Sequence, residues 1–496
     1  MRYLITSLLC MLVWTSVYAN YSATYNAEQG ELYISEIKLM PIGLSYSATL
    51  KKVEGEQLIF KLVDYQPAEL TSKSPCFYEI DTGIVSIPTI EVDNQVYEVT
   101  LLLIPDQPNY MYQLVDIRSI ETLDETTDSK NIAILSDPSS EKALVKSPVV
   151  TKGDEEVVQI YASDETETIL EDNDKTDDPA IWVHPDKPLL STIIGTHKIG
   201  GIAVYSLQGR VIQFIPEGKM NNVDLRYNFP LNGELIDLVA VSDRGKASVV
   251  FYKVNSNRLL EEIGKVDLTI AVEGYGLCMY HNFKTDKFYV LVNDREGTVE
   301  QLEIFALDEQ QVSATLVRNI QLDSQPEGCV ADDKADVIYI GEESRGIWKF
   351  PANPEDGSER TLVDEVIDKG GHLTPDVEGL ALYYIDDKDG YLIASNQGNH
   401  TFTLYERAGD NQYLGKFTIA NNVDKGIDHA FDTDGIDVVN VPLGRKYPFG
   451  LFVVQDGLNL SDDGSEARQN FKLVSWEDIA DKFSLSKDTI YDPRNQ

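Results

Sequence analysis

The chain has 496 residues, with 42 Lys and Arg against 82 Asp and Glu, for a formal net charge of -40. That charge repels nucleic-acid phosphates and anionic lipid alike, so neither is expected as a partner. It leaves two readings that can hold together: a surface solvated by its own charge, and oxygen-rich loops that collect hard cations such as Ca²⁺.

At the N-terminus, Arg2 precedes an apolar stretch from Leu4 to Val17 and then Val17-Tyr18-Ala19, a small-residue cleavage pattern before Asn20. Residues 1–19 are therefore expected to be an export signal, and the mature protein is expected to be secreted or periplasmic. That run is too short to cross a bilayer, and no later segment approaches the ~20 apolar residues of a membrane helix. Cys10 lies too early in the signal to read as a lipoprotein site.

Residues 20–118 carry an internal duplication. Tyr25, Leu32, Ile34, Ile37, Tyr46, Leu50 and Leu62 recur as Tyr78, Val85, Ile87, Ile90, Tyr97, Leu101 and Leu114, an offset of 51 to 53 residues. Apolar and polar residues alternate in both copies, as in Ser86-Ile87-Pro88-Thr89-Ile90-Glu91-Val92. The period predicts half-buried antiparallel strands. No cluster of reactive side chains accompanies them, so a structural, adhesive or carbohydrate-facing accessory role is expected. Residues 119–163 turn polar and acidic and read as a linker, with apolar patches at Ile132-Ala133-Ile134-Leu135 and Val149-Val150 that could dock on a neighbour.

From residue 164 to 496 a longer period takes over. Six segments pass from an acidic or amide residue into an apolar strand: Asp177-Asp178-Pro179, Asn222-Val223-Asp224, Glu273-Gly274-Tyr275, Glu327-Gly328-Cys329, Glu378-Gly379-Leu380 and Asp434-Gly435-Ile436-Asp437. They recur roughly every 44 to 56 residues. A period of that size with short strands between indicates blades of sheet closed into a ring. The fold class is thus all-β, a six-bladed β-propeller preceded by a small duplicated antiparallel β module.

Each repeat has a second polar turn 16 to 22 residues after the first, such as those at Lys198, Arg244, Arg295, Glu342-Glu343 and Gln397. In a propeller blade the turn between strands two and three reaches the face on which strand one begins, so both polar sets should share one surface. Residue type divides that surface. Lys198, Arg244 and Arg295 come from the first three repeats and suit an anion; Glu327, Glu343, Asp376, Glu378, Asp432, Asp434 and Asp437 come from the last three and suit a hard cation. With 6 histidines scattered through the chain, a zinc or copper site is disfavoured. For any single turn a solvated loop is the plainer explanation, and only the recurrence argues for function.

Cys76, Cys278 and Cys329 remain after the signal. Cys278 and Cys329 occupy equivalent strands of successive repeats and read as two separate buried cysteines rather than a bridge. Other phosphatase and hydrolase chemistries lack their signatures: there is no Arg-His-Gly phrase, and none of the three cysteines opens a Cys-x₅-Arg loop. Gly398-Asn399-His400 lacks the Asp-x-His companion of a dinuclear metallophosphatase.

Several long phrases together carry a family resemblance. They are Asp177-Asp178-Pro179-Ala180-Ile181-Trp182, Asn221-Asn222-Val223-Asp224-Leu225-Arg226-Tyr227, Phe229-Pro230-Leu231-Asn232-Gly233 and His372-Leu373-Thr374-Pro375-Asp376-Val377-Glu378-Gly379-Leu380. To these add Asp432-Thr433-Asp434-Gly435-Ile436-Asp437, Tyr447-Pro448-Phe449-Gly450-Leu451-Phe452 and Gln455-Asp456-Gly457. In that order they resemble the β-propeller phytases, the calcium-dependent class also called alkaline phytase or 3-phytase.

The resemblance implies hydrolysis of phosphate monoesters of myo-inositol hexakisphosphate, free or as its calcium salt, by direct attack of a Ca²⁺-bound water at a site holding several Ca²⁺ ions. It implies Glu165, Asp177, Asp178, Glu327, Glu343, Asp376, Glu378, Gln397, Asp432, Asp434 and Asp437 as metal ligands, and Lys198, Arg244, Tyr275 and Arg295 as the catalytic phosphate contacts. It also implies a monomer. Two departures stand out: Ile199 follows Lys198 where the family commonly has a second lysine, and Arg295 replaces a common lysine. Two rivals remain, a non-catalytic Ca²⁺-dependent propeller that binds phosphorylated ligands and a propeller lactonase or esterase. The basic trio argues against the lactonase.

Overall fold

The computed structural model describes residues 23–26, 29–40, 45–53, 59–67, 76–79, 84–92, 95–104, 111–120, 157–169, 175–269, 274–459, 468–487 and 491–494. The export signal, most of the linker and Glu273 lie outside them. The chain divides into two compact units, residues 1–141 and 142–496.

The first unit is an eight-stranded sheet that returns on itself. Within each copy the strands are antiparallel, as the alternation predicts: Glu31–Met40, Ser45–Lys52 and Ile59–Pro67 in the first, Ile84–Val92, Gln95–Ile104 and Met111–Ile120 in the second. The copies join through an antiparallel pair on one side, and on the other through two short parallel pairings. Those parallel seams are not in the antiparallel expectation. They arise because the leading strand of each copy, Ala23–Asn26 or Cys76–Glu79, pairs with the second strand of the other. The duplicated apolar positions Ile34, Leu50, Ile87 and Leu101 meet inside, all but excluded from water.

The second unit is the six-bladed propeller. Blades I to IV are antiparallel four-stranded sheets beginning at Thr176, Met220, Leu277 and Pro326, and blade V begins at Val377. Blade VI takes its three inner strands from residues 436–475 and its outermost strand, Asp164–Glu165, from ahead of blade I. The chain therefore closes the ring on itself. Val157–Tyr161, in the stretch that reads as linker, forms a strand parallel to the outer strand of blade V, held by the buried Ile160.

A blade is covered on both faces, so its middle strands are apolar in continuous runs rather than alternating. Thr192–His197 is buried at every position. Each interface between neighbouring blades has its own core: between I and II, for example, Ala180, Trp182 and Ile194 pack on Val223, Leu225 and Val239. Between VI and I, Phe471 and Val453 pack on Ile193 and Tyr205. Burying each such side chain contributes roughly 1.5–3 kcal/mol.

Cys278 and Cys329 form a disulfide, correcting the expectation of two separate thiols. The innermost strands of blades III and IV run side by side, so equivalent positions fall within bonding reach, at a Cα–Cα distance of 5.5 Å. Cys76 is buried.

A cavity of about 440 Å³ runs between the innermost strands and is lined by Asp178, Asp224, Arg226, Asp333 and Asp437, among others. The C-terminal residues Tyr491, Pro493 and Arg494 also line it. Tyr491 stacks on Tyr384 and the Arg494 guanidinium lies 4.1 Å from the Tyr227 ring centroid. Among the described residues, no helix is long and apolar enough to cross a membrane.

Candidate active site

Among the described residues, the turns after strand two meet several of the openings: Lys198 contacts Asp177 and Asp434, Gln397 reaches Asp434, Arg244 reaches Asn221, and Glu343 approaches Glu327 and Glu378. The local geometry of the openings explains the glycine that follows the opening position in blades III and IV. A Cβ at Gly276 would stand 1.8 Å from the carbonyl of Glu327, and one at Gly328 2.1 Å from that of Glu378. Each glycine thus receives the acid-bearing backbone of the next blade, and no larger residue fits. Successive carboxylates are drawn toward the axis by this nesting.

Glu327, Glu343 and Glu378 each place a carboxylate oxygen within 4.8 Å of the other two. Burial pushes the Glu378 carboxyl well up, and the neighbouring Glu327 charge pushes it further. Burial also opposes the charge on Glu327, yet hydrogen bonds from Glu378, Tyr275 and Asn221, with the Lys198 charge, hold it below its ordinary value. The two carboxyls are thus joined by a hydrogen bond, with Glu378 the one pushed up and Glu327 the one held down. Burial and the charge of Glu327 push Glu343 up to about 7. Gln325 donates to Glu343, and the charge of Asp376 adds to the repulsion there.

Lys198 stands between Asp177 and Asp434, with its ammonium 3.3 Å and 2.8 Å from their oxygens. Gln397 donates to the other oxygen of Asp434, whose own amide is anchored by Gln455 Oε1 at 2.8 Å. Burial outweighs the Lys198 charge and leaves Asp434 at about 6 and Asp177 well above its usual range. The partition of bases from acids read in the sequence is therefore incomplete, because Lys198 lies among the acids of blades I and VI.

Arg244 and Arg295 meet on Tyr275, with guanidinium carbons 5.2 Å and 4.7 Å from its ring centroid. Arg244 also donates to Asn221 Oδ1 at 2.9 Å, and the amide of Asn221 donates to Glu327 at 3.1 Å. Asn221 was given no role from sequence. Its signal was position, since Asn221-Asn222 occupies the register of Asp177-Asp178 in the next blade.

The four remaining carboxylate candidates have the following surroundings. Asp178 accepts from the Val223 amide at 2.9 Å and lines the channel. Asp437 lies farther along the channel, where burial raises it to about 7 and its oxygens accept from the amides of Ile181 and Val438, each at 2.7 Å. Asp432 is held through its amide by His400 Nδ1 at 2.9 Å and acts on Asp434 through its charge. Glu165 belongs to another group: it is 2.5 Å from the fully buried ammonium of Lys472, which also contacts Asp428 and, at 3.1 Å, Asp456.

Oδ2 of Asp177 and Oε2 of Glu378 are buried and accept no hydrogen bond, and Oδ1 of Asp177 has the Lys198 ammonium at 3.3 Å but no hydrogen bond. An acceptor so placed is costly unless a cation meets it. The donors facing the cluster are carboxylate and amide oxygens, the set a hard divalent ion prefers. The residues present fit such an ion.

A family model described as Phytase matches residues 129–495. The chain is 45% identical over 328 residues to the 3-phytase of Bacillus subtilis (strain 168), spanning 65% of this chain and 85% of that protein. Among solved structures, a functionally unknown protein from Desulfotomaculum acetoxidans DSM 771 aligns over 80% of this chain and 95% of its own, with 10% identity and a TM-score of 0.34. The Cps50 (Swd1) β-propeller domain of Myceliophteria thermophila aligns over 60% and 83%, with 10% identity and a TM-score of 0.35. Similarities that low bear no weight beside the sequence match.

Proposed function

We propose, from the premise that this chain belongs to the phytase family, that it is a calcium-dependent 3-phytase releasing phosphate from phytate by direct displacement with water. Phytate hydrolysis follows from the family; the ion and the mechanism are the proposal. What supports it most is the convergence of Glu327, Glu343 and Glu378 within 4.8 Å beside Arg244 and Arg295. A polyanionic substrate would be expelled by bare carboxylates. A site that binds it must bring a compensating cation.

Glu327, Glu343, Glu378, Asp177 and Asp434 would hold the ions, with Asp376 and Gln397 at the margin. When bound, Ca²⁺ supplies positive charge and Lewis acidity at the phosphate. The protein does the rest by positioning. Arg244 and Arg295 receive phosphoryl oxygens, and arginine in place of the family's common lysine at 295 retains the charge and adds a bidentate donor pair. Lys198 stabilises charge that develops on the phosphoryl group. Water as the attacking group accords with the side chains gathered here, which offer carboxylates, amides and cations. Export, inferred from residues 1–19, would place the enzyme where millimolar Ca²⁺ is common.

The test is phosphate release from phytate by the purified protein, with added Ca²⁺ and after chelation. Activity lost on chelation and restored by Ca²⁺ is expected; full activity in the chelated protein would overturn the calcium reading.

A further inference from the structure

Tyr275 ties together parts of the site that belong to different blades. Its carbonyl accepts from Ser242 Oγ at 2.7 Å, two residues before Arg244 in the blade II turn. Its amide donates to the carbonyl of Asn293 at 2.8 Å, two residues before Arg295 in the blade III turn. Both arginines then place their guanidiniums against the one ring, as described above. The side chain is 7% exposed, and its hydroxyl is hydrogen-bonded to Glu327. The hydroxyl is thus turned to Glu327, while the ring has both cations on it.

We propose that Tyr275 is a positioning residue: its ring sets the spacing of Arg244 and Arg295, and its hydroxyl, with the Asn221 amide as a second tie, fixes that pair relative to Glu327. Long arginine side chains lose conformational freedom when they bind an anion, and a ring that already holds them removes part of that cost. Arg295, where the family commonly has lysine, suits this role, because a planar guanidinium stacks on an aromatic face better than an ammonium does. The inference rests on the reading that these arginines receive substrate phosphate.

The experiment compares Tyr275→Phe, Tyr275→Leu, Arg244→Ala and Arg295→Ala in the full-length enzyme, measuring KM and kcat on phytate with Ca²⁺, the inhibition constant of inorganic phosphate, and thermal melting. Tyr275→Phe keeps the ring and is expected to leave KM and the phosphate constant within about threefold of wild type; Tyr275→Leu is expected to raise both about tenfold or more, with kcat falling less. Adding Arg295→Ala to Tyr275→Leu should then cost less than the two single effects combined. If the arginine variants raise KM but Tyr275→Leu does not, the positioning role is wrong. If Tyr275→Phe is as damaging as Tyr275→Leu, the tie to Glu327 and not the ring holds the arginines, which overturns the role given to the ring. Arginine variants with unchanged KM would sink the phosphate reading beneath it and the inference together.

Discussion

Glu165, Asp428 and Asp456 surround the ammonium of Lys472, whereas Glu327, Glu343 and Glu378 face one another across a few ångströms. Both groups sit in the same propeller, are built from the same residue types and are largely withdrawn from water. The first is closed by a cation supplied by the chain itself. A lysine with no exposed side-chain surface, held by three acids and by Asn459 at 3.2 Å, leaves no room for exchange with solution. The second has Glu378 pushed up against Glu327 and leaves an oxygen of Glu378 without a hydrogen bond. Buried charge is tolerated only when compensated. The contrast teaches that an acidic cluster becomes a site when its compensating cation has to come from outside.

The sharpest way to break that contrast is to neutralise the two groups separately. Glu327→Gln with Glu378→Gln removes ligands and repulsion together. Activity on phytate is expected to fall by about 10³-fold, roughly 4 kcal/mol in the barrier, while the metal-free protein melts no lower than wild type. A melting point that collapses instead would mean these glutamates hold the fold, as the Lys472 group does. Lys472→Met should do the reverse: about 3–5 kcal/mol of stability lost, because three buried acids lose their partner, with KM little changed. Denaturant unfolding and phytate kinetics read the two effects.

Calcium itself should separate the regions next. Saturating the wild type to about 100 times its dissociation constant stabilises it by about 2.7 kcal/mol, seen as a rise in melting temperature. The Glu327→Gln, Glu378→Gln variant is expected to lose most of that rise. If it keeps the whole rise, the ions bind elsewhere, and the carboxylate convergence is not what holds them.

Much of this was legible in the sequence for a steric reason. In Glu327-Gly328 and Glu378-Gly379 the glycine follows the acid because it receives the next blade's backbone. In blade III that place is held by Gly276 after Tyr275 and not by Gly274 of the phrase read from sequence, while the recurrence of the openings still gave the blade count. The site carboxylates came with them. The cross-blade pairing of side chains was not legible. Nothing local marks Glu165 as the partner of Lys472, 307 residues away, or Asn221 as the link between Arg244 and Glu327. Those contacts exist only once the ring closes. The same holds for Cys278 and Cys329, whose equivalent positions suggested two core thiols until adjacent innermost strands put them side by side.

The smallest effect probes a carboxylate that does have an internal cation. Asp333 receives Arg226 Nε at 2.7 Å across the channel, yet burial still raises it to about 7. A carboxyl whose folded value lies above its unfolded one stabilises the fold while protonated, so its contribution is fully present below the unfolded range near 3.8 and is lost as pH rises through about 7. The metal-free protein should therefore lose stability from this group between pH 4 and 7, even with the Arg226 charge beside it at every pH. Asp333→Asn is expected to flatten that part of the stability-against-pH curve, measured by denaturant unfolding in chelator at several pH values. An unaltered slope in the variant would mean that Arg226 compensates Asp333 completely, and the matched carboxylates of the channel would then differ from the site cluster in kind and not only in degree.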